Sequence, residues 1–253
     1  MKLRNLILLI LSPLLGAGAC SDDMSSPNEV MPGAGLGGSM AQFTVYNGRL
    51  YLLQADELQT YSLQNPAAPQ LASTQQVGID AETLFPYSGN LYVGSQNGMH
   101  IYSLENPQQP EHLSTFQHIT SCDPVVVEGN FAYVTLRTGS PCRFGTNELN
   151  ILDISEKVNP RLISSLQMYN PQGLAVNNGI LYVCNAEYGL VALDVTNPFS
   201  PKVLKEYKDY DGYDVIFTPR SLMMIGKDGL VQFDPANPAD LQQLSIIPVE
   251  PLQ

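Results

Sequence analysis

The pair Asn-Pro returns five times along the chain, at Asn65-Pro66, Asn106-Pro107, Asn159-Pro160, Asn197-Pro198 and Asn237-Pro238, at spacings of 41, 53, 38 and 40 residues. A period near 40 residues marks a supersecondary unit that cannot bury its apolar face alone and must stack on copies of itself. The fourth unit shows what the unit contains. Gly173 to Asn177 alternates apolar and polar residues, Asn178-Gly179 is a hairpin signal, and Ile180 to Cys184 reads as the returning strand. Leu190 to Val195 and Lys202 to Tyr207 follow as a third and a fourth strand, separated by the Asn197-Pro198 turn. Asn47-Gly48, Gly89-Asn90 and Gly129-Asn130 stand where Asn178-Gly179 stands, with Pro219-Arg220 in the fifth unit. Four antiparallel strands in about 40 residues make one blade, so the fold class is all-β, a single β-propeller of five blades with four strands each. The blades cover about 41–78, 79–119, 120–170, 171–210 and 211–250. The frame starts at a first strand and ends at a fourth, so no strand is exchanged between the termini. Closure is expected from side-chain packing between the first and last blades.

Residues 1–19 carry Lys2 and Arg4, an apolar run from Leu6 to Leu11, and small residues up to Ala19, directly before Cys20. The run is too short to span a bilayer, and the layout is that of an export signal. It resembles a bacterial lipoprotein signal, with Cys20 as the lipidated residue and Ala17 where Leu is usual, as lipoproteins of the Bacteroidota tolerate. The following Ser21-Asp22-Asp23 is similar to the acidic start that sends lipoproteins of that group to the cell surface. The resemblance implies a chain held at the outer membrane or cell surface by a lipid on Cys20. Residues 20–40 are rich in Ser, Pro, Gly and Asp, cannot bury enough surface to offset their ordering entropy, and read as a flexible tether.

Loss of Lys2 and Arg4 takes the net charge from −12 to −14, with 10 basic residues facing 24 acidic ones. That field repels phosphate backbones and rules against a nucleic-acid partner.

Leu190–Asp194 (LVALD), Leu149–Asp153 (LNILD) and Leu230–Asp234 (LVQFD) resemble the LVIVD repeat of bacterial surface proteins, with Met99–Ser103 and Leu58–Ser62 as degenerate copies. The resemblance spans about residues 43–247 and implies a β-propeller; it brings no catalytic motif and no cofactor.

In a blade, the fourth-to-first and second-to-third connections share one face, and the hairpins and Asn-Pro turns share the other. The turn face repeats and reads as structural, whereas the loop face varies, and variable loops on a rigid scaffold carry sites. Near the starts of the innermost strands lie Asp80 or Glu82, Asp123, Gln172 and Asp214; Tyr188, Tyr210, Tyr213 and Phe144, with the long loop from Arg137, share that face. Carboxylates beside aromatic rings suit a glycan or peptide, and paired carboxylates suit a glycan-active hydrolase or lyase as an alternative. A third reading is a structural subunit of a surface complex. Asp209, Asp211 and Asp214 alternate as calcium ligands do, but no distal Glu completes the set. Cys122 and Cys142 fall in connections of the third blade that share a face; in an exported chain they are expected to pair, closing a loop of about 20 residues worth roughly 3 kcal/mol. Cys184 is left as a small buried hydrophobe, with pairing to Cys142 as the rival. No nucleophile elbow, metal triad or phosphate loop is present. His100 and His112 read as blade residues, and His118 lies in a loop-face connection. The sequence therefore describes a non-enzymatic binding or scaffold module without a cofactor.

Overall fold

The computed structural model describes residues 38–77, 81–117, 124–138 and 146–249. Twenty strands form five four-stranded antiparallel sheets, each from four consecutive strands with its first strand at one edge. The first blade is β1 (Phe43–Tyr46), β2 (Arg49–Gln54), β3 (Glu57–Ser62) and β4 (Gln70–Gln76), and the second is β5 (Ala81–Tyr87), β6 (Asn90–Ser95), β7 (Gly98–Ser103) and β8 (Glu111–Gln117). The third comprises β9 (Val125–Glu128), β10 (Phe131–Leu136), β11 (Glu148–Asp153) and β12 (Arg161–Gln167). The fourth has β13 (Leu174–Asn177), β14 (Ile180–Cys184), β15 (Leu190–Asp194) and β16 (Lys202–Tyr207); the fifth has β17 (Gly212–Phe217), β18 (Leu222–Gly226), β19 (Gly229–Asp234) and β20 (Gln242–Pro248). The chain folds as a five-bladed β-propeller without strand exchange, as its repeat predicts.

Burial on both faces explains why the inner strands read as apolar runs. In the fourth blade Leu181, Val183, Val191 and Leu193 share one face and pack on the third blade. Ala175, Tyr182, Cys184, Leu190 and Ala192 share the other face and pack on the fifth. Cys184 is fully buried and unbonded, and burial raises its thiol pKa, so it behaves as the hydrophobe its position calls for. The outermost strands face water, and every residue of β20 is exposed. His100 and His112 sit in β7 and β8, both within hydrogen-bonding distance of Thr115 Oγ1, at 2.9 and 3.0 Å.

The hairpin between the first two strands is a tight turn with positive φ at both central residues in Asn47-Gly48 and Asn178-Gly179. In the second blade the turn sits one residue earlier than the sequence suggests, at Ser88-Gly89, with φ of 46° and 76°, and Asn90 already belongs to β6. These turns are latched to the preceding blade. Gly89 N donates to Tyr46 Oη (3.1 Å), Gly129 N to Tyr87 Oη (2.8 Å), and Asn178 N and Gly179 N to the Glu128 carboxylate (2.6 and 2.8 Å). The series stops at the fifth blade. Its loop runs Thr218-Pro219-Arg220-Ser221, Pro219 has no N–H to give, and Asn177 Oδ1, at the position of Tyr46, is buried without a hydrogen-bond partner.

The join between the fifth and first blades differs from the sequence expectation. Phe43 on β1 points away from the second blade and is 61 % exposed, whereas its equivalents Leu84, Val125, Leu174 and Val215 are 1, 0, 0 and 1 % exposed. Across the gap Ile225 and Ile247, on the free face of the fifth blade, are exposed as well. Fully burying such a side chain contributes about 1.5–3 kcal/mol, so this seam lacks the stabilisation the other four joins have. No apolar cluster among the described residues spans it.

What bridges the ring instead is the segment 38–42. Ser39 is buried; its hydroxyl donates to Asp214 Oδ1 of the fifth blade (2.9 Å) and accepts from Leu174 N of the fourth (2.8 Å). Ala41 O accepts from Leu84 N of the second blade and Gln42 O from Leu53 N of the first, both at 2.8 Å. Residues 38–40, which the sequence assigns to the tether, are thus part of the propeller. With Ala41 and Gln42 they form a strap that hydrogen-bonds the second, fourth and fifth blades and leads into the first.

Candidate functional site

The turn face uses its polar side chains on itself. Asn65, Asn106, Asn197 and Asn237 each accept, through Oδ1, from the backbone N–H two residues on, at 3.1–3.3 Å. Asp153, Asp194 and Asp234, which end the third strands, do the same at 2.9 Å. Asp153 is held below the usual carboxylate range by the Ser155 N–H, and Asp194 by the Thr196 hydroxyl and N–H. These are local turns that fix the backbone, which is the physical reason the motif repeats. A shallow depression lined by Asp153, Ser155, Glu156, Asn159 and Arg161 lies among them.

The loop face is built differently, as the fourth blade shows. Asn185, buried just after β14, ties two connections together. Its Oδ1 accepts from Tyr169 N (3.2 Å) and Asn170 N (2.8 Å) in the segment entering the blade, and its carbonyl accepts from Tyr188 N (3.0 Å). The tight turn this requires places Ala186 at φ 45° and Gly189 at φ 107°. The result is that the rings of Tyr169 and Tyr188 stack, with centroids 4.6 Å apart and planes at 19°. Both remain open to solvent, at 66 % and 44 %. Beside them runs a polar row. Asn170 Nδ2 donates to Glu187 Oε2 (3.3 Å), Gln172 Nε2 to Asn170 Oδ1 (2.9 Å), and Arg137 Nη1 to Gln172 Oε1 (3.0 Å).

Of the residues picked from the sequence, Tyr188, Gln172 and Arg137 thus come together. Gln172 itself is buried, and its carbonyl also accepts from Thr135 Oγ1 (2.7 Å), so it positions the row from beneath. Tyr213 lies next to this group, its carbonyl accepting from Gly173 N (2.9 Å) and its side chain 46 % exposed. Tyr210 is half-buried, set edge-on to Phe233 (4.9 Å, 89°) with its hydroxyl on Gln243, so it packs on the fifth blade. Asp209, Asp211 and Asp214 do not converge. Among the described residues no group of three or more His, Cys, Asp or Glu side chains is placed to hold a metal ion. Glu82 is half-buried on β5. Asp80, His118, Cys122, Asp123, Cys142, Phe144 and Cys20 lie outside the described residues.

Asp214 is a half-buried acid at the joint between the fourth and fifth blades. Burial raises its pKa, against hydrogen bonds from the Ser39 hydroxyl and from Val215 N and Met40 N. The folded state therefore holds this proton more tightly than the unfolded chain. Its contribution to stability falls as pH rises from the ordinary carboxylate range through the folded pKa, and is lowest above it. Asp214→Asn, which cannot ionise, should show a smaller drop in melting temperature between pH 4 and pH 7 than the parent does. An unchanged drop would contradict this assignment.

Sequence reasoning missed Tyr169, Asn170, Asn185 and Glu187. The available signal was a second aromatic, Tyr169, in the connection entering the blade that carries Tyr188.

The sequence profile of the LVIVD repeat matches residues 121–167 and 170–209. No curated protein matches the chain in sequence. Solved structures that resemble it include a protein from Lactobacillus plantarum (14 % identity, TM-score 0.62), covering 79 % of this chain and 69 % of that one. The periplasmic gluconolactonase PpgL of Pseudomonas aeruginosa (12 %, TM-score 0.61) covers 79 % and 67 %, and apo AztD from Citrobacter koseri (12 %, TM-score 0.60) covers 80 % and 61 %. At such identity the likeness shows the fold alone. The chain is a five-bladed β-propeller whose third and fourth blades match the profile of the LVIVD repeat.

Proposed function

We propose that the protein is an exported, lipid-anchored and non-enzymatic binding module, held at the outer membrane or cell surface through Cys20, that engages a glycan, peptide or protein partner with its loop face. The observation that carries this reading is the solvent-exposed Tyr169–Tyr188 stack, fixed from below by buried Asn185, on a scaffold whose other face uses its polar groups on turns. Exposed aromatic rings held rigid are costly to keep in water and are the usual anchors of recognition surfaces. Catalysis by channel carboxylates has less support, since Asp214, the acid that reading needs most, is bound by the strap. The gluconolactonase likeness carries no chemistry at 12 % identity. The seam at Phe43, Val45, Ile225 and Ile247 favours a second reading, a subunit of a surface complex, because exposed apolar faces of this kind mark protein contacts.

The test is fractionation followed by capture. Cys20→Ala in the full-length protein should release it from the membrane fraction, and the released chain should retain a cell-surface partner that a Tyr188→Ala, Tyr213→Ala version does not. Unchanged membrane association, or retention indifferent to both tyrosines, would oppose the proposal.

A further inference from the structure

The geometry points to a neutral oligosaccharide as the ligand of the Tyr169–Tyr188 surface, an inference that rests on the binding-module reading and narrows it. With their inner faces stacked on each other, the two rings leave flat apolar faces and ring edges toward solvent. Flat, exposed rings favour a ligand that lies across them. A pyranose ring does this. Its axial C–H groups make an apolar face of about the size of a phenol, and its equatorial hydroxyls, in the plane of the ring, reach outward to polar neighbours.

Those neighbours are present and oriented. Glu187 and Asn170 are joined at 3.3 Å next to the stack, Asn170 and Gln172 at 2.9 Å, and Gln172 and Arg137 at 3.0 Å. Glu187 and Asn170 offer a planar carboxylate and amide to neighbouring hydroxyls of one sugar, braced by buried Gln172 and by Arg137. Asn185 and Thr135 hold the backbone beneath the row and its side chains are tied to one another, which limits the side-chain freedom lost on binding. Tyr213 stands beyond Gly173 on the same face and supplies a further exposed ring for an adjacent sugar residue. Charge selects against the alternatives. The chain carries a net charge of −12 and Glu187 stands at the platform, which disfavours phosphorylated, sulfated and uronic-acid ligands.

The experiment uses the full-length protein carrying Cys20→Ala, with cellohexaose, xylohexaose, mannohexaose and maltohexaose as probes in saturation-transfer difference NMR and calorimetry. At least one is expected to receive saturation through its ring C–H protons. Tyr188→Ala and Tyr169→Ala should each weaken that binding by tenfold or more while the melting temperature moves by only a few degrees, as for exposed positions. Tyr188→Phe, which keeps the stacking face, should stay within threefold of the parent. No transfer to any of the four hexasaccharides, or equal binding by the alanine variants, would overturn the assignment. If the sugars fail but the Tyr188→Ala, Tyr213→Ala pair still abolishes capture of a surface protein, the saccharide inference falls and the binding-module reading stands.

Discussion

Gly173→Ala is expected to cost about 3 kcal/mol or more, the range of strongly overpacked core substitutions. Gly173 sits where the fourth and fifth blades meet at the channel. Its N–H donates to Tyr213 O and its carbonyl accepts from Cys184 N, both at 2.9 Å, so the backbone cannot step aside. A Cβ there would stand 2.6 Å from Asp214 Cγ and 2.8 Å from Asp214 Cα, and the second of these is main chain. For a domain of this size such a loss lowers the melting temperature by roughly 6–12 °C. Gly48→Ala is the matched control. Nothing lies within 4 Å of that position, and its φ of 70° is a tight-turn value, so the cost is conformational only, about 1 kcal/mol. Equal losses at the two sites would mean that the inner joint is not packed as described.

Ser39→Ala has the second largest expected effect, about 2–3 kcal/mol, from a residue only two positions into the described chain. The hydroxyl it removes both satisfies Leu174 N and donates to Asp214 Oδ1. Its loss leaves one buried donor unpaired and a half-buried acid with one fewer partner, and leaving buried polar groups unsatisfied is where hydrogen-bond deletions become expensive. The effect should be read as earlier chemical or thermal unfolding, with hydrogen exchange of Leu174 N–H accelerated most. A variant as stable as the parent would show that residues 38–40 are incidental to the ring. The loss matters more here than in a ring closed on all sides, because the apolar faces at Phe43 and Ile225 do not support the fifth-to-first join.

The phase of the blades was legible because the inner strands of the second, third and fourth blades are buried on both faces, and Asn-Pro and Asn-Gly turns recur where the backbone must reverse. The tie that bridges the ring was not. Gly38, Ser39 and Met40 have no apolar period, and their role comes from hydrogen bonds to residues 135 and 175 positions away in sequence, which no local pattern announces. The turn at Ser88-Gly89 was misplaced by one residue because Gly89-Asn90 carries the same composition, and only the backbone shows which pair turns. At the site, the loop face and Tyr188 were legible from blade topology. Tyr169 was passed over, and Gln172, picked for its place near the start of an inner strand, is buried, because which side of a connection points outward depends on what lies beneath it. Here that is Asn185, a residue with no motif of its own.

Site-specific photo-crosslinking in intact cells tests the central claim, that recognition happens on the loop face, most directly. A benzophenone side chain is placed singly at Tyr188 or Tyr213 on the loop face, and at Phe199 or Lys157 beside the Asn-Pro turns, in the full-length anchored protein. The account predicts adducts to a surface glycan or protein from Tyr188 and Tyr213, with none from Phe199 or Lys157. Adducts from the turn positions alone would contradict it.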